Sequence, residues 1–319
     1  MKSLLEVENL KKYFEHRGGM FRATEYLKAV DDVSFEIKKG ETFGLVGESG
    51  CGKSTCGKTI LKLHQPTAGS IRYDGVDISG FSRKQMLPYR RKMTITYQDP
   101  FGSLDPRMTV GDIISEPMEV HKLYGREERE NKVMEITELV GLTAEQVSRY
   151  PHEFSGGQRQ RIGIARSLAL DPEFIVADEP VSALDVSIQA QIINLLYDLQ
   201  KELDLTYLFI AHDLAVVKHI CERIAVMYLG KVVEIADKKE LFRNPMHPYT
   251  KALMSSVPIP NPHRRTEQII LTGDVPSPVN PPPGCHFHNR CPSAMERCSA
   301  EEPELVEVEK DHFVSCHLY

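Results

Sequence analysis

Gly47, Glu48, Ser49, Gly50, Cys51, Gly52, Lys53, Ser54 and Thr55 carry the clearest chemistry in the chain. The glycines let backbone N–H groups turn inward on an anion, and a helix opening beyond them adds the positive end of its dipole. Lys53 supplies a full charge where the β- and γ-phosphates of a nucleoside triphosphate lie, and Ser54 supplies a hydroxyl for Mg²⁺. A second group closes the apolar run Phe174 to Ala177. Asp178 fits the ordering of Mg²⁺. Glu179, one residue beyond, fits a general base that polarises the water attacking the γ-phosphate. A third group, Ser155, Gly156, Gly157 and Gln158, opens a helix with Ser155 as its N-cap and with first-turn N–H groups left approachable by an anion. Two phosphate-binding elements in one chain are more than helix-capping habit, and they point to ATP or GTP.

The elements that must position these groups are legible around them. An apolar strand, Thr42 to Val46, precedes the phosphate loop, and a helical segment follows it to about Leu63. Upstream, Leu4 to Phe14 and Ala29 to Ile37 predict an antiparallel pair with a polar loop, His16 to Tyr26, inserted between them. Ser70 to Tyr73 predicts a short strand ending in the turn Asp74, Gly75, and Thr94 to Tyr97 another. Residues 109–149 read as mostly helical. Apolar side chains at 133, 136, 139 and 140 share a helix face that Gly141 terminates. A strand-and-helix alternation follows: helix Gly156 to Leu170, strand Phe174 to Ala177, helix Ser187 to Leu203, strand Thr206 to Ala211, helix Leu214 to Cys221, and strands near Ile224 to Tyr228 and Lys231 to Ile235. Such alternation predicts an α/β fold with a largely parallel sheet. From about Asn244 the composition changes, with Pro258, Pro260, Pro262, Pro276, Pro278 and Pro281 to Pro283. Proline at this density argues against long helices and central strands, and sets a boundary near 244 with a small appended domain beyond it.

At 319 residues the chain is long enough for one large α/β domain with an appendage, or for two modest domains. Its 41% hydrophobic and 26% charged residues are those of an ordinary globular protein. The formal net charge of -6 does not suggest a broad basic surface for duplex nucleic acid and leaves room only for local basic patches. Met1 to Val7 runs directly into strand pattern, so no leader is expected, and no stretch reaches the run of about 20 apolar residues that a spanning helix needs. Membrane association is therefore expected through a partner. Cys51, Cys56 and Cys221 read as reduced thiols, Cys51 with some sensitivity to thiol reagents.

Taken together, these motifs resemble those of an ATP-binding-cassette (ABC) ATPase. The resemblance implies a P-loop NTPase fold of the ABC type: a RecA-like core, an antiparallel β subdomain, a helical subdomain over about 99–165, and an ATPase domain over 1–243. It also implies roles. Gly47 to Thr55 match the Walker A loop, and Asp178 with Glu179 the Walker B end and its catalytic glutamate. Gln98 matches the Q-loop glutamine that touches Mg²⁺ and the attacking water and senses the transmembrane partner. Ser155 to Gln158 match the signature that completes the ATP site of an opposing subunit. Ser182, Ala183, Leu184 and Asp185 match the D-loop, and His212, after Leu208 to Ala211, the switch histidine at the γ-phosphate. An aromatic residue late in the first strand stacks on adenine in this family, and Tyr13 and Phe14 are adjacent candidates. Tyr97 and Phe101, beside Gln98, read as packing residues.

Arg149 to Glu153, Glu179 to Ser187 and Asn244 to Tyr249 are together similar to the F-type ATPase subunit of oligopeptide and dipeptide importers, and nickel importers share much of this. That resemblance implies a second, D-type ATPase partner, two permease subunits, an external peptide-binding protein acting indirectly, and a place on the cytoplasmic face of the membrane. Rival cassettes acting on DNA or ribosomes bring coiled-coil insertions, tandem cassettes or a basic arm, none of which the sequence contains. A purely regulatory nucleotide-binding module would lack Glu179 or His212.

Cys285, Cys291, Cys298 and Cys316 crowd a tail, 244–319, that is poor in apolar residues and needs a staple. Disulfides suit a reducing compartment poorly, the intervals are long for a zinc ribbon, and four thiolates also suit a [4Fe–4S] cluster. Resemblance to peptide-importer ATPases implies the iron–sulfur cluster, with Zn²⁺ as the alternative.

Overall fold

Alternation of apolar and polar residues at the start of the chain produces a long hairpin in the computed structural model, which describes residues 2–17, 24–99, 102–256 and 268–319. Pro100, Phe101, Pro258, Pro260 and Pro262 lie outside the described residues. Strand Ser3–Arg17 runs antiparallel to Thr24–Lys38, from Ser3 opposite Lys38 to Arg17 opposite Thr24, with register shifts between Ser3 and Tyr13. The inserted loop expected over His16 to Tyr26 is therefore shorter than its polarity suggested. His16 pairs with Glu25 and Glu15 with Tyr26, because a ladder needs only backbone N–H and C=O groups and leaves polar side chains in water.

Two compact units divide the chain: Met1–Lys38, Thr42–Gly80 and Ala211–Tyr319 form one, Lys39–Glu41 and Phe81–Ile210 the other. In the first unit, strand Ala68–Tyr73 lies antiparallel on the other side of Ser3–Arg17. Asp74 and Gly75, with φ of 48° and 81°, turn it tightly into Val76–Asp77. Strand Thr42–Val46, buried along its whole length, pairs in parallel with Arg223–Tyr228. Lys231–Asp237 follows antiparallel on the far side of Arg223–Tyr228. The tail then adds to the same sheet: His312–Val314 pairs with Lys231–Asp237, placing Glu234 opposite Val314, and Val306–Glu309 pairs outside it. Where the proline count argued against long elements, the tail has short ones, the helices Pro248–Ser255 and Glu296–Ala300.

The second unit holds parallel strands in the order Thr206–Ala211, Phe174–Asp178, Met93–Thr96. The first two are fully buried, which is why they read as unbroken apolar runs. Met93–Thr96 begins one residue earlier than expected and leaves Tyr97 outside the ladder. Helix Val110–Val120 starts at a capping box of Thr109 and Asp112. Helix Arg126–Leu139 buries Val133 and Ile136 and ends ahead of Gly141, whose φ is 71°. Helices Gly156–Leu168 and Val186–Leu203 follow the expected course within a few residues.

Candidate active site

In the first unit, the phosphate loop leaves strand Thr42–Val46 at Gly47 and enters helix Lys53–Ile60 after Gly52. Both glycines are required by geometry. A Cβ on Gly47 would lie 2.1 Å from the Met227 carbonyl oxygen, and one on Gly52 would lie 1.9 Å from that of Ala29. Gly52 caps the helix with φ of 106° and no side-chain cap, and the first turn carries no acidic residue. That helix start therefore keeps its N–H groups and its positive dipole end for an anion. Lys53 is buried, with Nζ donating to the carbonyls of Gly47 (2.8 Å) and Glu48 (3.0 Å), which braces the ring of the loop. Gly230 N–H donates to the Cys51 carbonyl at 2.9 Å. Ser54 and Thr55 follow half-buried at the start of the helix.

Cys51 departs from its expected sensitivity to thiol reagents. Its side chain is buried, and burial pushes the thiol up, outweighing the opposing effect of Lys53. Tyr13 and Phe14 point to opposite faces of their strand. The Tyr13 hydroxyl donates to Asp31, whereas the Phe14 ring meets His64 edge-on at 5.4 Å and carries Lys12 Nζ at 4.7 Å. Burial and then Asp31 push the Tyr13 phenol up. Burial pushes Asp31 up as well, but the Tyr13 hydroxyl and Lys231, Lys28 and Lys11 outweigh it and hold the carboxyl below its usual range. His212 is exposed directly after strand Thr206–Ala211, and Asp213 beside it caps the next helix through Ala215 N–H at 2.7 Å.

In the second unit, Asp178 is buried at the end of its strand and Glu179 turns the chain with φ of 48°. A glutamate held in the left-handed region is unusual and marks a constrained site. Its N–H donates to the Ile210 carbonyl at 3.0 Å, and its carbonyl accepts from the Ser182 hydroxyl at 3.1 Å. Gln98 Nε2 donates to Glu179 Oε2 at 3.0 Å, so residues 81 positions apart, assigned separately from sequence, meet. Tyr97 is exposed rather than packed, with the Arg166 guanidinium 5.8 Å from its ring centre.

Ser155 caps helix Gly156–Leu168 as expected, its hydroxyl accepting from Gln158 N–H at 3.4 Å while Gln158 Oε1 accepts from Ser155 N–H at 3.0 Å. The glycines do more than leave amides approachable. A Cβ on Gly157 would stand 2.5 Å from Ile188 Cγ2, and one on Gly156 3.4 Å from Leu184 Cδ2. Gln189 Nε2 donates to the Leu184 carbonyl at 2.9 Å, which ties the segment Ser182 to Asp185 to the start of helix Val186–Leu203.

In the tail, none of the four cysteines is in a disulfide. Burial pushes Cys285 up to about 11 and also raises Cys291 and Cys316; Cys285 is raised further by the other three tail cysteines, Cys291 by Cys316 and Cys298, and Cys316 by Cys298. Among the described residues, the group brought within 4.8 Å is Glu240, Glu309 and His312. Sequence reasoning missed two contacts that the tail makes with the phosphate loop. Tyr249 Oη accepts from Glu48 N–H at 2.9 Å, and Arg290 donates to the Glu48 carboxylate at 2.9 and 3.4 Å.

Comparison with known proteins agrees with this geometry. The ABC transporter family matches residues 30–182, and the oligopeptide/dipeptide transporter C-terminal region matches 233–298. The putative oligopeptide transport ATP-binding protein YkfD of Bacillus subtilis is 58% identical over 99% of this chain and 95% of its own length. The oligopeptide transport ATP-binding protein AppF of the same organism is 56% identical over 99% of this chain and 98% of its own. Among solved structures, a dimeric post-hydrolysis ATP-binding cassette bound to ADP and Pi is 30% identical, with a TM-score of 0.65 over 73% of this chain and 98% of that one. CbiO1 from Clostridium perfringens, part of the ABC transporter complex cbiONQ, gives a TM-score of 0.66 at 28% identity over 76% of this chain and 92% of that one. Fold and site thus define a P-loop ATPase of the cassette type. The chain belongs to the ABC transporter ATP-binding proteins that carry the oligopeptide/dipeptide transporter C-terminal region. Among the described residues no helix is long and apolar enough to cross a membrane.

Proposed function

We propose that this chain powers the uptake of oligopeptides or dipeptides as one ATPase subunit of an ABC importer, with residues 1–243 as its nucleotide-binding domain and 244–319 as the importer-specific tail. The names of the relatives favour peptides over nickel as cargo. The chain pairs head to tail with a D-type ATPase on the cytoplasmic face, beneath two permease subunits. Gly47 to Thr55 cradle the triphosphate, with Lys53 at the β- and γ-phosphates. Ser54, Asp178 and Gln98 hold Mg²⁺, and Glu179 takes a proton from the attacking water. His212 contacts the γ-phosphate, Tyr13 or Phe14 stacks on adenine, and Ser155 to Gln158 with the D-loop complete the partner's site. Binding then favours the closed dimer and hydrolysis releases it, a population shift set by contacts to the γ-phosphate.

The Gln98–Glu179 hydrogen bond is the observation that supports the catalytic assignment, because it joins the proposed Q-loop glutamine to the proposed base. In the complex purified from membranes, Glu179→Gln is expected to lower turnover by roughly 10²- to 10⁴-fold while nucleotide binding persists. Lys53→Ala is expected to weaken ATP binding itself. Near-normal hydrolysis by the first variant, or unchanged affinity in the second, refutes the corresponding role. Identification of the chains that copurify tests the D-type and permease partners.

For the tail, Cys285, Cys291, Cys298 and Cys316 would hold a [4Fe–4S] cluster that staples a segment too poor in apolar residues to fold around its own core. The long intervals between these cysteines in the sequence, and the resemblance to peptide-importer ATPases, favour the cluster, with Zn²⁺ as the alternative.

A further inference from the structure

Glu48 is a problem in its own loop. A carboxylate in a cradle built for a triphosphate repels the ligand, unless its charge is cancelled and its backbone held. The tail does both from residues distant in sequence. Arg290 places two nitrogens on the two oxygens of Glu48, and its side chain is only 9% exposed. Its guanidinium also lies 6.0 Å above the ring of Tyr228. Tyr249, fully buried, fixes the Glu48 N–H with its hydroxyl oxygen. The Tyr249 ring is itself wedged against Tyr228 and Phe287, with centroids 4.7 and 5.4 Å away. Phe287 meets Tyr228 edge-on at 5.2 Å. An aromatic wall thus carries the clamp, and Lys53 Nζ braces the far side of Glu48 through its carbonyl.

We propose that Arg290 and Tyr249 are positioning residues for the phosphate loop: Arg290 neutralises Glu48 so that the cradle accepts a polyanion, and Tyr249 locks the backbone from which the cradle opens. The tail is then a working part of the nucleotide site, and nucleotide affinity reports its integrity. This rests on the assignment of residues 47–55 as the ATP cradle.

The test is ATP affinity of the full-length chain at low and high salt. Arg290→Ala is expected to weaken ATP binding roughly tenfold at low ionic strength, the scale of one uncompensated unit charge near the site. The loss should shrink in concentrated salt, because charge repulsion is screened and a packing defect is not. Adding Glu48→Gln to Arg290→Ala is expected to recover most of the affinity. Tyr249→Phe keeps the ring and removes the acceptor, and should weaken ATP severalfold without salt dependence; Arg290→Gln, which keeps most of the stem without the charge, replaces Arg290→Ala with the same expected outcomes if that variant does not fold. Unchanged affinity in Arg290→Ala, a loss indifferent to salt, or no recovery with Glu48→Gln overturns the role of Arg290, and unchanged affinity in Tyr249→Phe overturns that of Tyr249. Lys53→Ala separates the two levels: if it binds ATP normally the cradle assignment fails, and if it alone loses affinity only the clamp fails.

Discussion

Gly157 shows how one residue serves two constraints. Its N–H group belongs to the helix start that would face a phosphate, and its missing side chain lets helix Gly156–Leu168 approach Ile188. Ile188 is β-branched, so its Cγ2 cannot swing clear of a new methyl group. Gly157→Ala is therefore expected to destabilise the protein by about 1–2 kcal/mol, overpacking outweighing the gain in helix propensity. Chemical denaturation checks this, and Ile188→Ala in the same chain should return part of the loss. Equal stability of Gly157→Ala and the unsubstituted protein would leave the glycine with its anion-binding role alone. Glu179 makes the complementary case. Its identity was legible from the strand end it follows, whereas its left-handed backbone was not, since glycine or asparagine is the usual occupant of that conformation.

Among the elements, the short helix Pro248–Ser255 depends on a histidine that must stay neutral. His247 caps it, Nδ1 accepting from Tyr249 N–H at 3.1 Å, and the side chain is 1% exposed. Burial lowers its pKa to about 4, Lys251 adds to the lowering and Glu234 opposes it. Between pH 6.5 and 4 the unfolded chain binds a proton that the native protein refuses. The stabilisation from His247 is therefore complete above pH 6.5 and declines as pH falls through this window, by about 2 kcal/mol at pH 5. Urea unfolding at pH 7 and pH 5 measures the drop. His247→Asn keeps a capping acceptor without the titration, and should flatten the slope by that amount. Local patterns made the strands and helices around the motifs readable because each is specified within ten or twenty residues. The hairpin strands beyond Phe14 escaped such a reading, since an exposed ladder is held by backbone groups that composition does not reveal.

At the scale of the whole molecule, the tail is bound into the sheet by a buried carboxylate. Glu234, fully buried, accepts from the N–H groups of Met246 and His247 at 2.8 and 2.9 Å and faces His312 Nε2 at 2.8 Å. Removing any of these donors would leave a buried charge undersatisfied, so strand Lys231–Asp237 and the tail hairpin hold together through it. None of this was legible in sequence, because Glu234 and His312 are 78 residues apart, and Glu48 and Arg290 are 242 apart. The four cysteines were legible as a group, but the tail's attachment was not. The attachment explains why a staple there matters to the rest of the chain: Cys291 directly follows Arg290, and the Cys285 N–H donates to the Cys298 carbonyl at 2.8 Å. Anaerobically purified protein is expected to contain about four iron atoms and four acid-labile sulfides per chain. Cys291→Ser with Cys298→Ser should abolish both and lower the melting temperature. Stoichiometric zinc without sulfide would assign the thiols to zinc instead, and retention of iron and sulfide by the double variant would remove those two cysteines from the ligand set.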